Sequence, residues 1–259
     1  MEEVKFRDSL GNPVMGTLSI PEGAKSVVVL SHGFSSNKDS RVYLELEGAL
    51  NRAGIGTLRY DYYGHGKAYS EGRKYGVTKD VTLSKGVESL RAAVEYVRLR
   101  GNYEVGLMGA SFGGLLSIIV ASEDPDIKAL ALKSPVTEPK ELWSSRLGKK
   151  RMKEWARDGI VEYHERGENF ELDYGFWLDL QKYDTLDIAQ LISCPILIVH
   201  GTRDSVVPLS HSQILKQITN AKLKTVKWAD HDYADPKQFL SMKKLIIDFF
   251  KEKLQCNPD

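Results

Sequence analysis

Residues 103–121, YEVGLMGASFGGLLSIIVA, contain the turn from which the rest of the chain can be interpreted. Residues 103–108 form a short apolar run typical of a buried strand, and residues 115–121 are apolar and continue into a helix. Between them the chain must turn within about four residues, where side chains larger than glycine would collide with the neighbouring strand and helix. The sequence Gly109-Ala110-Ser111-Phe112-Gly113-Gly114 therefore predicts a sharp strand–turn–helix unit with an exposed Ser111 hydroxyl.

The spacing Gly-x-Ser-x-Gly between a strand and a helix is the pattern of a nucleophile elbow. The alternative is a glycine-rich turn in which Ser111 only caps the following helix. A nucleophilic serine needs a base that takes its proton and an acid that orients the base. The nucleophile interpretation therefore requires a base and an acid that follow later in the sequence and lie at the same edge of a sheet, whereas the helix-cap interpretation does not.

Strand-like apolar runs alternate with helical segments along most of the chain, which predicts an α/β fold. We expect a mostly parallel central sheet of about eight strands with helices on both faces and an antiparallel N-terminal pair. The predicted strands cover residues 4–6, 15–20, 27–31, 55–60, 103–108, 127–132, 194–199 and 223–228, and further helices are predicted at 40–53, from 80 for about 20 residues, at 210–218 and at 236–254.

The alternation pauses between residues 136 and 188, which are expected to form a small inserted cap above the carboxyl edge of the sheet. The core domain would then consist of residues 1–135 and 189–259. A basic amphipathic helix is predicted at 140–157, and a hairpin is predicted from strand-like residues 160–163 and 170–172 on either side of Gly167-Glu168-Asn169.

Three of the four tryptophans, Trp143, Trp155 and Trp177, lie in this predicted cap. Aromatic side chains above the carboxyl edge of a sheet are suited to binding an organic substrate, so all three are candidate substrate-binding residues. The alternative is that the rings only pack the cap onto the sheet.

The two strands that follow the cap end in polar loops. Asp204 lies in the loop GTRDSVVP at 201–208, and His231 lies in the segment ADHDY at 229–233. The chain order Ser111, Asp204, His231 is that of a nucleophile, acid and base at the carboxyl ends of successive strands. We therefore predict these three residues as a catalytic triad, and we expect structural roles for the remaining histidines, His32, His65, His164, His200 and His211.

Cleavage of an ester passes through an oxyanion, which backbone N–H groups can stabilise. The expected donors are Phe112, directly after the nucleophile, and Phe34, in the loop after strand 27–31. This chemistry needs no cofactor, and strand-associated phosphate-binding glycine patterns are absent from the sequence. A metal site at Asp230, His231 and Asp232 is disfavoured because no second ligand cluster accompanies it.

The composition is that of an ordinary globular protein of 259 residues with a formal net charge of +1. This balance gives no reason to expect nucleic acid as a partner, and no apolar run approaches the roughly 20 residues needed for stable membrane insertion. The N-terminal residues are charged and lack a secretory h-region, so we expect a cytoplasmic protein. Cys194 and Cys256 show no disulfide-framework spacing, and a homo-oligomer is left open.

Several motifs together resemble the α/β-hydrolase superfamily over nearly the whole chain. They are HGF at 32–34, DYYGHG at 61–66, GASFGG at 109–114, GTRDSVVP at 201–208 and DHDY at 230–233. The segment HGFSSNKDS and the end of the cap, YDTLDIAQLISCPILIVHG, are similar to cinnamoyl (feruloyl) esterases and to monoglyceride-lipase-like carboxylesterases. Ala110, Lys67 and Ala68 depart from that pattern, and Ser-x-Gly-Gly with Phe112 is also similar to prolyl-oligopeptidase-type hydrolases.

This resemblance implies a serine carboxylesterase that acts on a small-molecule ester through an acyl-enzyme on Ser111. Short or medium acyl esters and hydroxycinnamoyl esters are the expected substrates. The alternatives are a monoacylglycerol lipase, a peptidase or thioesterase with the same triad, and a non-catalytic binding module. The last is disfavoured because no triad residue is missing.

Overall fold

The computed structural model describes residues 1–66, 69, 77–165 and 168–255, and it contains the alternating strands and helices that the sequence predicts. The departures at Lys67 and Ala68, the turn residue Gly167, and Cys256 lie outside the described residues. The strands are β1 (Glu2–Arg7), β2 (Pro13–Ser19), β3 (Ser26–Ser31), β4 (Gly56–Asp61), β5 (Glu104–Ala110), β6 (Ile127–Lys133), β7 (Ile160–Glu165), β8 (Glu168–Asp173), β9 (Ile196–Gly201) and β10 (Lys222–Val226). The helices are α1 (Arg41–Arg52), α2 (Leu83–Arg100), α3 (Phe112–Glu123), α4 (Pro139–Asp158), α5 (Tyr174–Leu180), α6 (Thr185–Ala189), α7 (Leu209–Ile218) and α8 (Pro236–Leu254).

Eight strands form one sheet in the order β1-β2-β4-β3-β5-β6-β9-β10. Strand β2 pairs antiparallel with both β1 and β4, whereas the other neighbouring strands run parallel. The prediction of a mostly parallel α/β sheet is therefore confirmed. Because parallel strands end at the same edge, the loops after β3, β5, β6, β9 and β10 meet there, although they are far apart in the sequence.

Strand β3 shows why its sequence is apolar throughout. Val27 and Val29 join the hydrophobic core on the face covered by α2 and α3, whereas Val28 and Leu30 join the core on the face covered by α1 and α8. A strand that is covered on both faces has no polar side, so its residues do not alternate between apolar and polar. The two cores hold the sheet rigid behind the loops at its carboxyl edge.

An insertion of helices and a separate two-stranded sheet interrupts the alternation between β6 and β9. Helix α4 bends at Gly148, whose φ of 73° is not helical, and β7 then pairs antiparallel with β8 in the predicted hairpin. We propose residues 136–188 as the cap, over a core of residues 1–135 and 189–259. In the parts of the chain that the structure describes, no helix combines the length and apolar character needed to cross a membrane.

Candidate active site

Ser111 occupies the turn between β5 and α3 in a backbone conformation that non-glycine residues rarely adopt, with φ 53° and ψ −115°. Four backbone hydrogen bonds hold it there. The Ser111 N–H donates to the Lys133 carbonyl at 2.9 Å, and the Ser111 carbonyl accepts from the N–H of Gly114 at 3.0 Å, of Leu115 at 3.2 Å and of Val136 at 3.1 Å. The end of β6 and the first residues of the cap therefore both brace the predicted elbow.

Two glycines allow this turn to pack against its neighbours. A Cβ atom on Gly109 would lie 2.4 Å from the Gly113 carbonyl oxygen, and one on Gly113 would lie 2.3 Å from the His32 carbonyl oxygen. Both contacts are with backbone atoms, which cannot move aside as a flexible side chain could. Glycine is therefore required at these two positions because another stretch of backbone packs directly against each of them.

Asp204 lies in the loop after β9, and its side chain is fully buried. Its Oδ1 atom accepts hydrogen bonds from the N–H groups of Val206 at 2.9 Å and Val207 at 2.8 Å. Its Oδ2 atom lies 2.7 Å from Nδ1 of His231 and 3.3 Å from Nε2 of His200. Burial alone would raise the pKa of Asp204, but the hydrogen bonds with His200, His231 and Val207 outweigh it and hold this pKa well below its ordinary range.

His231 follows β10 and has the orientation that a general base requires. An ionised Asp204 can only accept hydrogen bonds, so the proton between the two side chains belongs to Nδ1 of His231, and Nε2 keeps its lone pair. Burial lowers the pKa of His231 below its ordinary value of 6.5, and the positive charge of Lys133 lowers it further, although Asp204 opposes both effects. The imidazole is therefore neutral, and able to accept a proton, at neutral pH.

Ser111 and His231 border two cavities, which also share Gly33. One has a volume of about 370 Å³ and extends towards the N-terminal ends of α1 and α8. The other has a volume of about 30 Å³ and lies under the cap. The structure thus brings the three predicted triad residues together at the carboxyl edge of the sheet, where Ser111 and His231 are accessible to small molecules.

The two residues expected to stabilise an oxyanion are neighbours at this site. The rings of Phe34 and Phe112 meet edge to face with their centroids 5.5 Å apart. Phe112 begins α3, so its N–H is among the first N–H groups of the helix, which have no acceptor within it. Phe34 precedes Ser35, whose φ is 52° and whose hydroxyl donates to Oε2 of Glu165 in the cap at 2.7 Å. The roles of the two N–H groups as oxyanion donors remain a prediction.

The three cap tryptophans occupy different positions. Trp143 lines the 30 Å³ cavity and packs edge to face on Phe34, with ring centroids 5.4 Å apart. Trp155 is fully buried inside the cap and donates from Nε1 to the Leu172 carbonyl at 2.9 Å. Trp177 is half-buried against the hydrophobic core. Neither of the last two borders a cavity at Ser111, so their positions favour packing of the cap over the expected contact with substrate.

Sequence reasoning missed two side chains that support the site. The sequence predicts only an unspecified structural role for His200, whereas in the structure its Nε2 donates to the Val207 carbonyl at 3.0 Å beside Asp204. Lys133 ends β6, is only 4% exposed, and donates from Nζ to the His231 carbonyl at 2.6 Å. The one signal for Lys133 in the sequence is a charged residue directly after the apolar run 129–132.

Comparisons with known proteins agree with this fold. A palmitoyl-protein thioesterase of human mitochondria, ABHD10, is 24% identical over 219 residues, covering 81% of this chain and 68% of that protein. The structure of mouse α/β-hydrolase domain-containing protein 10 is 19% identical and superposes with a TM-score of 0.80 over 97% of this chain and 99% of that chain. Est1E from Butyrivibrio proteoclasticus, which has also been solved with ferulic acid bound, is 25% identical and superposes with a TM-score of 0.79 over 98% of this chain and 99% of that chain.

The family model for the S33 serine aminopeptidases matches residues 22–168, which is more than half of the chain. The matched segment includes the Ser111 turn and the loop that contains Phe34. The chain therefore belongs to the S33 serine aminopeptidase family of α/β-hydrolases.

Proposed function

We propose that this protein is a serine carboxylesterase that hydrolyses carboxylic esters through an acyl-enzyme on Ser111. The observation that carries the proposal is the 2.7 Å hydrogen bond between Nδ1 of His231 and the buried Asp204 carboxylate, beside cavities that Ser111 and His231 share. This bond leaves Nε2 of His231 as the basic atom, in a residue that borders the same cavities as Ser111. A serine that only caps a helix would need no such base.

In the proposed reaction, Nε2 of His231 takes the Ser111 hydroxyl proton while Oγ attacks the carbonyl carbon of the ester. The oxyanion that forms accepts hydrogen bonds from the N–H groups of Phe34 and Phe112. The protonated His231 then gives its proton to the leaving alcohol, and the acyl group stays on Ser111. A water molecule, deprotonated by His231, attacks this acyl-enzyme and releases the carboxylic acid, which regenerates the serine.

The relatives support an acyl-transfer reaction and offer two variants of it. Est1E has been solved with ferulic acid bound, which supports the hydroxycinnamoyl esters among the candidate substrates. The name of ABHD10, palmitoyl-protein thioesterase, favours a thioesterase as the second candidate. A monoacylglycerol lipase and a peptidase with the same triad are further alternatives, and a cytoplasmic location stays a prediction.

The first test measures hydrolysis of p-nitrophenyl acetate and p-nitrophenyl butyrate by the purified protein and by Ser111→Ala. We expect kcat to fall by about 10⁶-fold in the variant, because loss of the nucleophile removes the acyl-enzyme route. Ser122→Ala, at the other end of α3, is the matched control and should retain activity. Equal activity in wild type and Ser111→Ala would refute the assignment of the nucleophile.

To distinguish a thioesterase from an esterase, the rates of hydrolysis of an oxygen ester and of the thioester of the same acyl group would be compared. A fluorophosphonate that labels Ser111 in the wild type, together with no turnover of oxygen esters, would favour the thioester or peptide alternatives. Absence of both labelling and turnover would favour the binding module.

A further inference from the structure

A side chain of the cap contacts the loop that carries Asp204. Arg146 lies in the first part of α4, before the bend at Gly148, and is half-buried. Its Nη2 atom donates to the Val206 carbonyl at 2.8 Å, and its Nη1 atom donates to the Tyr163 hydroxyl of β7 at 2.9 Å. The guanidinium therefore bridges the hairpin of the cap and the loop after β9.

The carbonyl that Arg146 contacts belongs to the same peptide group as the N–H of Val207. A peptide group is planar, and in the usual trans form its C=O and N–H point in opposite directions. The Val207 N–H donates to Oδ1 of Asp204 at 2.8 Å, and Oδ2 of Asp204 lies 2.7 Å from Nδ1 of His231. One chain of hydrogen bonds therefore runs from Arg146 through this peptide and Asp204 to His231.

The positive charge of Arg146 strengthens this chain. Neither of its two partners is a carboxylate, so the charge acts on the neutral carbonyl of Val206. Hydrogen bonds in a chain polarise one another, so a cation on the carbonyl makes the Val207 N–H a stronger donor. This N–H is one of the groups that hold the pKa of Asp204 well below its ordinary range. Arg146 thus favours the ionised form of Asp204, which can only accept hydrogen bonds.

Helix α4 presents Arg146 from a fixed position, because a side chain of α7 anchors the start of that helix. Nδ1 of His211 accepts hydrogen bonds from the N–H of Thr137 at 3.1 Å and of Glu138 at 3.2 Å, directly before α4. Burial lowers the pKa of His211 to about 4, so its ring is neutral and able to accept these bonds at neutral pH. Helix α7 itself follows the Asp204 loop in the chain, so this contact and that of Arg146 join α4 to one segment of the core.

We propose that Arg146 is a positioning residue for the candidate triad, which orients the peptide between Val206 and Val207 and, through it, the Asp204 carboxylate. The inference rests on the proposed esterase function and adds a residue of the cap to the machinery of that function. Arg146 also borders the 30 Å³ cavity beside Ser111, so the alternative is that it binds the substrate directly.

The kinetic test uses Arg146→Met, which removes the charge and both donors but keeps an apolar stem. With p-nitrophenyl acetate we expect kcat to fall by about tenfold, the loss typical of one hydrogen bond from a charged group, while KM stays within about twofold. In a protein that already carries Asp204→Asn, the same substitution should cost less than about threefold, because no carboxylate is left to orient. Arg151→Met is the matched control, since Arg151 of the same helix donates to the Glu162 carbonyl inside the cap, and it should resemble wild type.

A second measurement does not depend on turnover. The proton on Nδ1 of His231, hydrogen-bonded to a carboxylate, gives an NMR signal downfield of the amide protons. We expect this signal to broaden in Arg146→Met, because a less firmly held Asp204 lets the proton exchange with water, and to stay sharp in Arg151→Met. Arg146→Gln, which keeps an amide donor but loses the charge, should show the same broadening and replaces Arg146→Met if that variant does not fold.

An unchanged signal in a folded Arg146 variant would overturn the positioning role. So would an equal loss of kcat with and without Asp204→Asn, and so would a rise in KM alone, which would assign Arg146 to substrate binding. Failure of the esterase function is recognised separately. If the wild type hydrolyses no ester while the signal broadens in Arg146→Met, the orientation of Asp204 by Arg146 stands and the proposed function falls.

Discussion

Replacing Asp204 with asparagine removes one charge from the candidate triad, and the surrounding hydrogen bonds predict how the new amide would be oriented. Oδ1 accepts from the N–H groups of Val206 and Val207 at 2.9 and 2.8 Å, so the amide oxygen would stay on that side. The amide NH₂ group would then face Nδ1 of His231 and Nε2 of His200. A donor at this position forces Nδ1 of His231 to accept, which moves the imidazole proton to Nε2 and removes the base.

The magnitude follows from the charge that is lost. An imidazolium and a carboxylate whose charge centres lie about 4 Å apart attract each other by about 4 kcal/mol at an effective dielectric constant of about 20. This energy corresponds to about a thousandfold in rate, and the wrong tautomer adds to the loss. For Asp204→Asn we therefore expect kcat/KM for p-nitrophenyl acetate to fall by about 10³- to 10⁴-fold. Steady-state kinetics would be measured beside circular dichroism, which checks that the variant is folded.

Asp230→Asn is the matched control. Asp230 lies in the same loop as His231, but it is exposed and its Oδ1 accepts from the Ala234 N–H, which an amide oxygen can also do. Because exposed charges are screened by salt, we expect kcat/KM to stay within about threefold of wild type. A loss of less than tenfold in a folded Asp204→Asn protein, or equal losses in the two variants, would refute the role assigned to Asp204.

Three further predictions follow from the surroundings of the site. In wild type, the acid limb of the pH dependence of kcat/KM should have its midpoint below 6.5, because the base must be neutral and burial lowers the pKa of His231; a midpoint above 6.5 would contradict this. Lys133→Met should move that limb to higher pH, since the positive charge of Lys133 lowers the pKa of His231. The variant should also lower kcat/KM by about tenfold, because His231 loses a hydrogen bond from a charged group. Lys128→Met, at an exposed position of the same strand, should have neither effect. Gly113→Ala would place a Cβ 2.3 Å from a backbone oxygen and should therefore lower the free energy of unfolding, measured by urea titration, by about 3 kcal/mol. Gly175→Ala is the control: Gly175 has open space around it, so the free energy of unfolding should stay nearly unchanged.

Much of this candidate site could be predicted because its residues lie in short, recognisable sequence patterns. Ser111 is identified by the glycines of its turn, and Asp204 and His231 by their positions directly after predicted strands. Parallel strands bring such loops to one edge whatever the details of packing, so the chain order of the three residues was sufficient to group them. The hairpin of the cap could be predicted for the same reason, since alternation and a turn are local properties.

Contacts between elements far apart in the chain could not be predicted. Lys133 and His231 are 98 positions apart, and their hydrogen bond exists because β6, β9 and β10 are successive strands of the sheet, which brings the loop after β10 near the end of β6. The expected substrate-binding role of Trp155 was drawn from its residue type and its place in the cap, but burial depends on which face of α4 packs on the hairpin. The periodicity of α4 does not reveal this face, because the helix bends at Gly148.

The amino-acid sequence by itself thus determined the α/β sheet, the turn at Ser111 and the order of the candidate triad residues, since strand propensity, glycine spacing and strand ends are properties of short segments. The tertiary structure decided which side chains support that triad and what surrounds it. The buried hydrogen bonds of His200 and Lys133 and the unequal cavities beside Ser111 depend on how β6, β9, α1 and the cap pack together. They are set by distances between segments, which a linear sequence does not contain.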